Sequence, residues 1–187
     1  MGLTFANKIT VCRILAIPFF ISTVLYYSPE KEYLRFVALG IFLFAVISDF
    51  IDGYVARAWH QKTKAGAILD PLADKLLLIS AFVTLYIMGG SFGPIHFPMW
   101  LVVAAISRDV MLLLGAMIIQ LIKGDLNLNP TVWGKATAVF QMASIFGMLL
   151  HWGISPIIWD VTFALTIISG IDYIREGIKI LNNGAKA

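Results

Sequence analysis

DFIDGYVARAWHQKTKAGAILDPLAD, residues 49–74, carries four carboxylates, Asp49, Asp52, Asp70 and Asp74, at the facing ends of two strongly apolar stretches. An ionisable side chain at membrane depth costs roughly 2.5–3.5 kcal/mol on insertion scales, so four together imply a function and a counter-ion. Asp49 and Asp52 are three residues apart and Asp70 and Asp74 four apart, which puts each pair on one face of its own helix. The basic linker from Arg57 to Lys64 is short. It predicts two antiparallel helices whose acidic pairs face each other at one edge of a membrane.

Composition sets that environment. The chain is 59% hydrophobic and 13% charged, with a mean hydropathy of +0.86, well outside the range of soluble globular domains. A membrane span needs about 20 apolar residues. Six stretches qualify: Ile9 to Tyr27, Tyr33 to Ile51, Ala65 to Met88, Pro98 to Ile122, Val132 to Trp152 and Pro156 to Ile180. They use nearly the whole chain, so the fold expected is all-α, a single polytopic membrane domain over residues 1–187 with six transmembrane helices. The first stretch, preceded by Lys8 and interrupted by Arg13, has the look of a signal peptide, but no small-x-small cleavage site follows and it is expected to stay as the first helix.

Prolines and glycines punctuate these spans: Pro29 after the first, Gly89, Gly90, Gly93, Pro94 and Pro98 between the third and fourth, and Pro130 and Pro156 before the last two. The net charge of +3 is spread over loops rather than gathered in a stripe, which argues against a nucleic-acid partner. With a cytoplasmic N-terminus, Lys8, Arg13, Arg57, Lys62, Lys64, Lys123, Lys135, Arg175, Lys179 and Lys186 fall on or near the cytoplasmic side. Lys31 and Arg35 then face out, and the uncharged linkers Gly89 to Phe97 and Gly153 to Ser155 fit translocated loops. The carboxylates then lie at the cytoplasmic end. The lone Cys12 excludes an intramolecular disulfide and is expected to be a small buried residue.

Four inward carboxylates repel one another unless cations neutralise them, and an all-oxygen ligand set suits Mg²⁺ or Mn²⁺ rather than zinc. The expectation is a site for two divalent cations of the kind that clamps a phosphoryl group between attacking and leaving oxygens. Gly53, Ala56 and Gly66 leave the wall beside it without bulk, so that a nucleobase could approach the backbone, and Arg57 offers a planar fork for phosphate oxygens. Small residues also serve close helix packing, but their joint placement around four aspartates favours a binding wall. His60, His96 and His151 have no metal-ligand spacing. A cation or proton transporter would also explain intramembrane acids. It gives no reason for the interleaved small residues and Arg57, and no second acidic cluster or matching broken segment completes a path.

The run Asp49-x-x-Asp52-Gly53-x-x-Ala56-Arg57, eight residues, Gly66-x-x-x-Asp70-x-x-x-Asp74 resembles the complete signature of the CDP-alcohol phosphatidyltransferase family. Asn7-x-x-Thr10-x-x-Arg13 with Pro18 resembles its N-terminal segment, and Asp70-Pro-Leu-Ala-Asp-Lys75, Ser107-Arg108-Asp109, Gly134-Lys135 and Ser169-Gly170 are similar to elements of its glycerophospholipid branch, so the likeness covers essentially the whole chain. The resemblance implies a six-helix enzyme of the membrane, commonly a homodimer and here of a bacterial inner membrane, that moves a phosphatidyl group from CDP-diacylglycerol to an alcohol and releases CMP. It implies Asp49, Asp52, Asp70 and Asp74 as metal ligands, with Asp74 also the catalytic proton acceptor. It implies Asn7, Thr10, Asp52, Gly53, Ala56, Arg57, Thr63 and Gly66 around the CDP moiety.

For the acceptor, the resemblance favours glycerol 3-phosphate, with Arg108 and Lys135 as cations for its phosphate; Arg108 can instead pair with Asp109. Many glycerophosphate-using members carry a second arginine two turns after Arg108, where this chain has Ala116 and Met117. The alternative acceptor is phosphatidylglycerol, because Ser107-Arg108-Asp109-Val110 is also similar to the eukaryotic-type cardiolipin synthases of the family.

Overall fold

A computed structural model describes residues 5–58, 66–92, 95–123 and 131–184, with side chains described outside 5–9, 50–58, 66–71, 119–123 and 179–184. Among the described residues the secondary structure is wholly helical: α1 (Phe5–Leu25), α2 (Tyr33–Ala58), α3 (Gly66–Ile87), α4 (Met99–Lys123), α5 (Val132–Leu149) and α6 (Ser155–Gly184), with short 3₁₀ turns at Pro29–Lys31 and Gly89–Ser91. The chain forms two compact units, Met1–Phe97 with Met148–His151, and Pro98–Gly147 with Trp152–Ala187.

In the first unit α1 packs on both α2 and α3. The inner face of α2 runs Arg35, Ala38, Phe42, Ala45, Ser48, all buried, at the three-and-four spacing of a helical stripe. Four residues beyond Ala45 the same stripe reaches Asp49, and seven beyond it Asp52. On α3 the buried line Leu77, Leu78, Ala81, Leu85 extends backwards to Asp74 and Asp70. Asp49 and Asp74 therefore continue the packing faces of their helices, and Asp52 and Asp70 follow at the next positions of the same register. Thr10, Arg13, Phe20 and Val24 form the buried face of α1, with the Phe20 ring 5.9 Å from that of Phe42.

The end of this unit formed by its connections is closed by aromatic packing. Tyr27 stacks on Phe92 at 4.1 Å between ring centroids, and His151 meets Phe92 edge-on at 6.3 Å. Arg35 ties the same region together, donating to Glu32 at 2.6 Å and to the Leu149 carbonyl at 3.2 Å. His151 ends the α5 stretch with φ of 54°, a left-handed conformation that a β-carbon disfavours. Burial holds its imidazole below the ordinary histidine pKa; the nearby Arg35 charge acts in the same direction and Glu32 opposes it.

In the second unit α4 packs on α6, and α5 is joined to α6 by hydroxyls. Ser144 and Thr162 share a hydrogen bond of 2.8 Å, Thr137 donates to the Leu165 carbonyl at 3.0 Å, and Thr162 to the Phe140 carbonyl at 3.2 Å. Gly115 allows α4 and α6 to approach closely, since a β-carbon there would run into the Tyr173 ring, whose hydroxyl donates to the Leu112 carbonyl at 3.2 Å.

The polarity of the protein is turned outward-apolar. Leu15, Phe19, Phe36, Phe44, Ile87 and Met99 are exposed, while Arg13, Arg35, Arg108, Asp109, Gln141 and Ser144 are buried. That is the reverse of a water-soluble surface and fits a lipid environment. Met99–Ile118 and Ser155–Ile178 are long and apolar enough to cross a membrane, and Thr10–Leu25 forms a shorter apolar segment. Cys12, expected inside, is exposed, because it falls on the outward face of α1 beside Val11 rather than on the stripe through Thr10 and Arg13.

Candidate active site

Three helices of the first unit meet at its acidic end. Nη1 of Arg13, on α1, lies 3.2 Å from Oδ1 of Asp49 on α2 and 2.5 Å from Oδ1 of Asp74 on α3. One nitrogen thus brings together a carboxylate from each of the two acidic helices. Arg13 is 1% exposed, whereas Asp49 and Asp74 are 39% and 29% exposed. The cation sits behind the carboxylates, and the carboxylates open outward.

The other sequence-derived site positions are placed along the same helices. Asp52 lies one turn beyond Asp49 on α2 and Asp70 one turn before Asp74 on α3, in helical backbone, with their side chains outside the description. Gly53, Ala56 and Arg57 occupy the last turns of α2, and Gly66 opens α3. Thr10 is buried on α1, one turn before Arg13, and Asn7 lies one turn earlier in helical backbone, its side chain outside the description. Thr63 lies outside the described residues, as does His60.

No three His, Cys, Asp or Glu side chains come together among the described residues. The residues present nevertheless fit divalent cations. Two carboxylates from separate helices converge and remain partly open, a second aspartate stands one turn along the backbone of each helix, and carboxylate oxygens suit hard divalent cations. Arg13 is the member that spacing alone did not assign. The signal was available: it is the single charge in the otherwise apolar segment Thr10–Leu25, so its counter-charge had to come from another helix.

A second polar cluster is built in the other unit. Arg108, 5% exposed, pairs through Nη1 with Oδ1 of Asp109 at 2.8 Å and donates through Nη2 to Oγ of Ser169 at 2.7 Å and to the Gly134 carbonyl at 3.5 Å. Thr131 caps α5, its hydroxyl accepting from the Gly134 N–H at 3.1 Å, three residues into the helix. Gly134 leaves room here, since a β-carbon would stand 3.3 Å from Arg108 Nη2 and 3.4 Å from Thr131 Oγ1, a tight fit. The pairing of Arg108 with Asp109 is therefore present, and three motifs that were separate in the sequence join in one cluster. Lys135, the next residue, is exposed.

All-helical among the described residues, with an outward-apolar surface and with carboxylates of two helices gathered at one end of the first unit, the protein has the make-up of a membrane protein with a polar site. The chain belongs to the CDP-alcohol phosphatidyltransferase family, which it matches over residues 3–171. It is 29% identical over 184 residues to the CDP-diacylglycerol–glycerol-3-phosphate 3-phosphatidyltransferase of Aquifex aeolicus, covering 94% of this chain and 96% of that protein. It is 30% identical over 175 residues to the enzyme of the same name from Haemophilus influenzae, with 89% of each chain covered. A Mycobacterium tuberculosis protein named "Probable phosphatidylglycerophosphate synthase" is 29% identical over 181 residues, covering 93% of this chain and 81% of that protein.

Proposed function

We propose that this chain transfers the phosphatidyl group of CDP-diacylglycerol to glycerol 3-phosphate, forming phosphatidylglycerophosphate and CMP, at the acidic end of α1, α2 and α3. The observation that carries the reading is the convergence of Asp49 and Asp74 on one nitrogen of Arg13. The names of the relatives support the acceptor.

In this reading Asp49, Asp52, Asp70 and Asp74 would hold two divalent cations, Mg²⁺ or Mn²⁺, which when bound polarise the diphosphate and stabilise the departing CMP. The chain's own groups do the rest. Asp74 takes the proton of the acceptor hydroxyl as that oxygen attacks the phosphorus of the lipid phosphate. The new oxygen–phosphorus bond forms, the bond to the CMP oxygen breaks, and no covalent intermediate with the protein is required. Thr10, Asn7, Gly53, Arg57 and Thr63 hold the CDP moiety, with Ala56 and Gly66 beside the cytosine. Lys135, exposed at the start of α5, and Arg108 are the cations proposed for the acceptor phosphate. Arg108 would act from within its pairing to Asp109 and Ser169.

The finer arrangement follows from the six apolar stretches, the charge pattern and the likeness to the family. All six helices span a bacterial inner membrane, the N-terminus and the acidic end face the cytoplasm, and the active form is a homodimer. Incubating purified protein with labelled CDP-diacylglycerol and, separately, glycerol 3-phosphate, phosphatidylglycerol, serine or inositol phosphate tests the function. CMP release with glycerol 3-phosphate is expected. Release with phosphatidylglycerol alone would make the chain a cardiolipin synthase, and cation flux in proteoliposomes without any CMP release would remove the enzyme reading.

A further inference from the structure

Arg13 is among the largest side chains that the protein buries completely. It is the one charge in its apolar segment, and its carboxylate partners Asp49 and Asp74 come from other helices, 36 and 61 residues away in sequence. A guanidinium does not lose its proton in a protein, so this is a permanent positive charge. It is 1% exposed, and its Nη1 is already held between two carboxylates. Through Asp49 and Asp74 it engages the site.

We propose that Arg13 is a positioning residue of the acidic site: it ties Asp49 and Asp74 to α1 and offsets part of their charge, and thereby sets how strongly the site takes divalent cations. The inference rests on reading the four aspartates as a divalent-cation site. A fixed positive charge in contact with two ligands repels any cation those ligands hold. It also relieves the mutual repulsion of the carboxylates when they hold none. Both effects act in one direction: with Arg13 in place the site stays assembled without divalent cations and binds them less tightly than four bare carboxylates would.

The test compares wild type, Arg13→Gln and Arg13→Lys in detergent, with Mn²⁺ binding followed by electron paramagnetic resonance and thermal unfolding measured in Mn²⁺ and in chelator. Arg13→Gln should bind Mn²⁺ at least about threefold more tightly and become far more dependent on Mn²⁺ for its stability, and Arg13→Lys, which keeps the charge, should stay within about twofold of wild type. Should Arg13→Gln fail to fold in chelator, it should be recovered folded when purified in Mn²⁺. Unchanged or weaker Mn²⁺ binding in Arg13→Gln, or failure to fold even with Mn²⁺, overturns the proposal. A merely structural arginine would lower stability in both buffers and leave the affinity of the folded fraction unmoved. Absence of Mn²⁺ binding to the wild type would instead remove the metal-site reading itself.

Discussion

Replacing Arg108 by methionine leaves Asp109 buried, at 3% side-chain exposure, without its guanidinium. The 2.8 Å contact corresponds to a gross attraction of about 6 kcal/mol at an effective dielectric constant near 20. Much of that is offset by the desolvation of both groups, so the pair itself adds little net stability. Breaking it from one side is another matter, since the buried carboxylate loses its guanidinium and the bonds to Ser169 and Gly134 go with it: the expected loss is about 3 kcal/mol, at the low end for a broken buried pair because Asp109 keeps another contact. Removing both charges, in Arg108→Met with Asp109→Leu, should recover most of the loss, because a buried pair can be replaced by apolar residues of similar volume at little cost. The assay is reversible unfolding in mixed micelles for the two single variants and the double. An Arg108→Met variant within about 1 kcal/mol of wild type would refute the reasoning, for it would mean that the remaining contacts of Asp109 carry its charge at no cost.

The other predictions concern separate parts of the molecule. Asp74→Asn should lose turnover by at least about a hundredfold while retaining most nucleotide binding, measured as CMP release beside CDP-diacylglycerol affinity; comparable turnover would exclude Asp74 as the proton acceptor. Gly134→Val should destabilise by about 1–3 kcal/mol through displacement of Arg108, and Gly134→Ala by less, since the helix favours alanine and the neighbouring side chain has only a few tenths of an ångström to give. The lowered pKa of His151 makes the unfolded chain bind the proton more readily than the folded one. Stability is therefore complete above the ordinary histidine pKa and falls as pH drops through the window between that value and the lower folded one. Thermal unfolding at pH 7.5 and 5.0 should show the drop in wild type and a smaller one in His151→Asn, which tolerates the left-handed backbone.

The helices and the acidic end were legible in the sequence, and the long-range partners were not. Helical periodicity puts Asp49 and Asp52 on the stripe of Ala38, Phe42 and Ala45, and Asp70 and Asp74 on that of Leu77 and Ala81, because a stripe is a property of one segment. Which stripe meets which depends on packing between segments, and spacing carries no such information. Arg13 with Asp74, and Arg108 with Ser169, are each 61 residues apart. Their polar character announced a partner without naming it. The exposure of Cys12 follows the same logic: in an outward-apolar helix a small apolar residue can face either way, and only the position of Arg13 fixes which side is inner. Motifs that had seemed independent, Ser107-Arg108-Asp109, Gly134-Lys135 and Ser169-Gly170, supply the members of a single cluster.

The proposal that two acidic helices share divalent cations is tested most directly by anomalous X-ray scattering from crystals grown with Mn²⁺. Anomalous density is expected enclosed by the carboxylates of Asp49, Asp52, Asp70 and Asp74, and lost from crystals of Asp49→Asn with Asp74→Asn. Density bound elsewhere in the protein, or none between these side chains at saturating Mn²⁺, would contradict it.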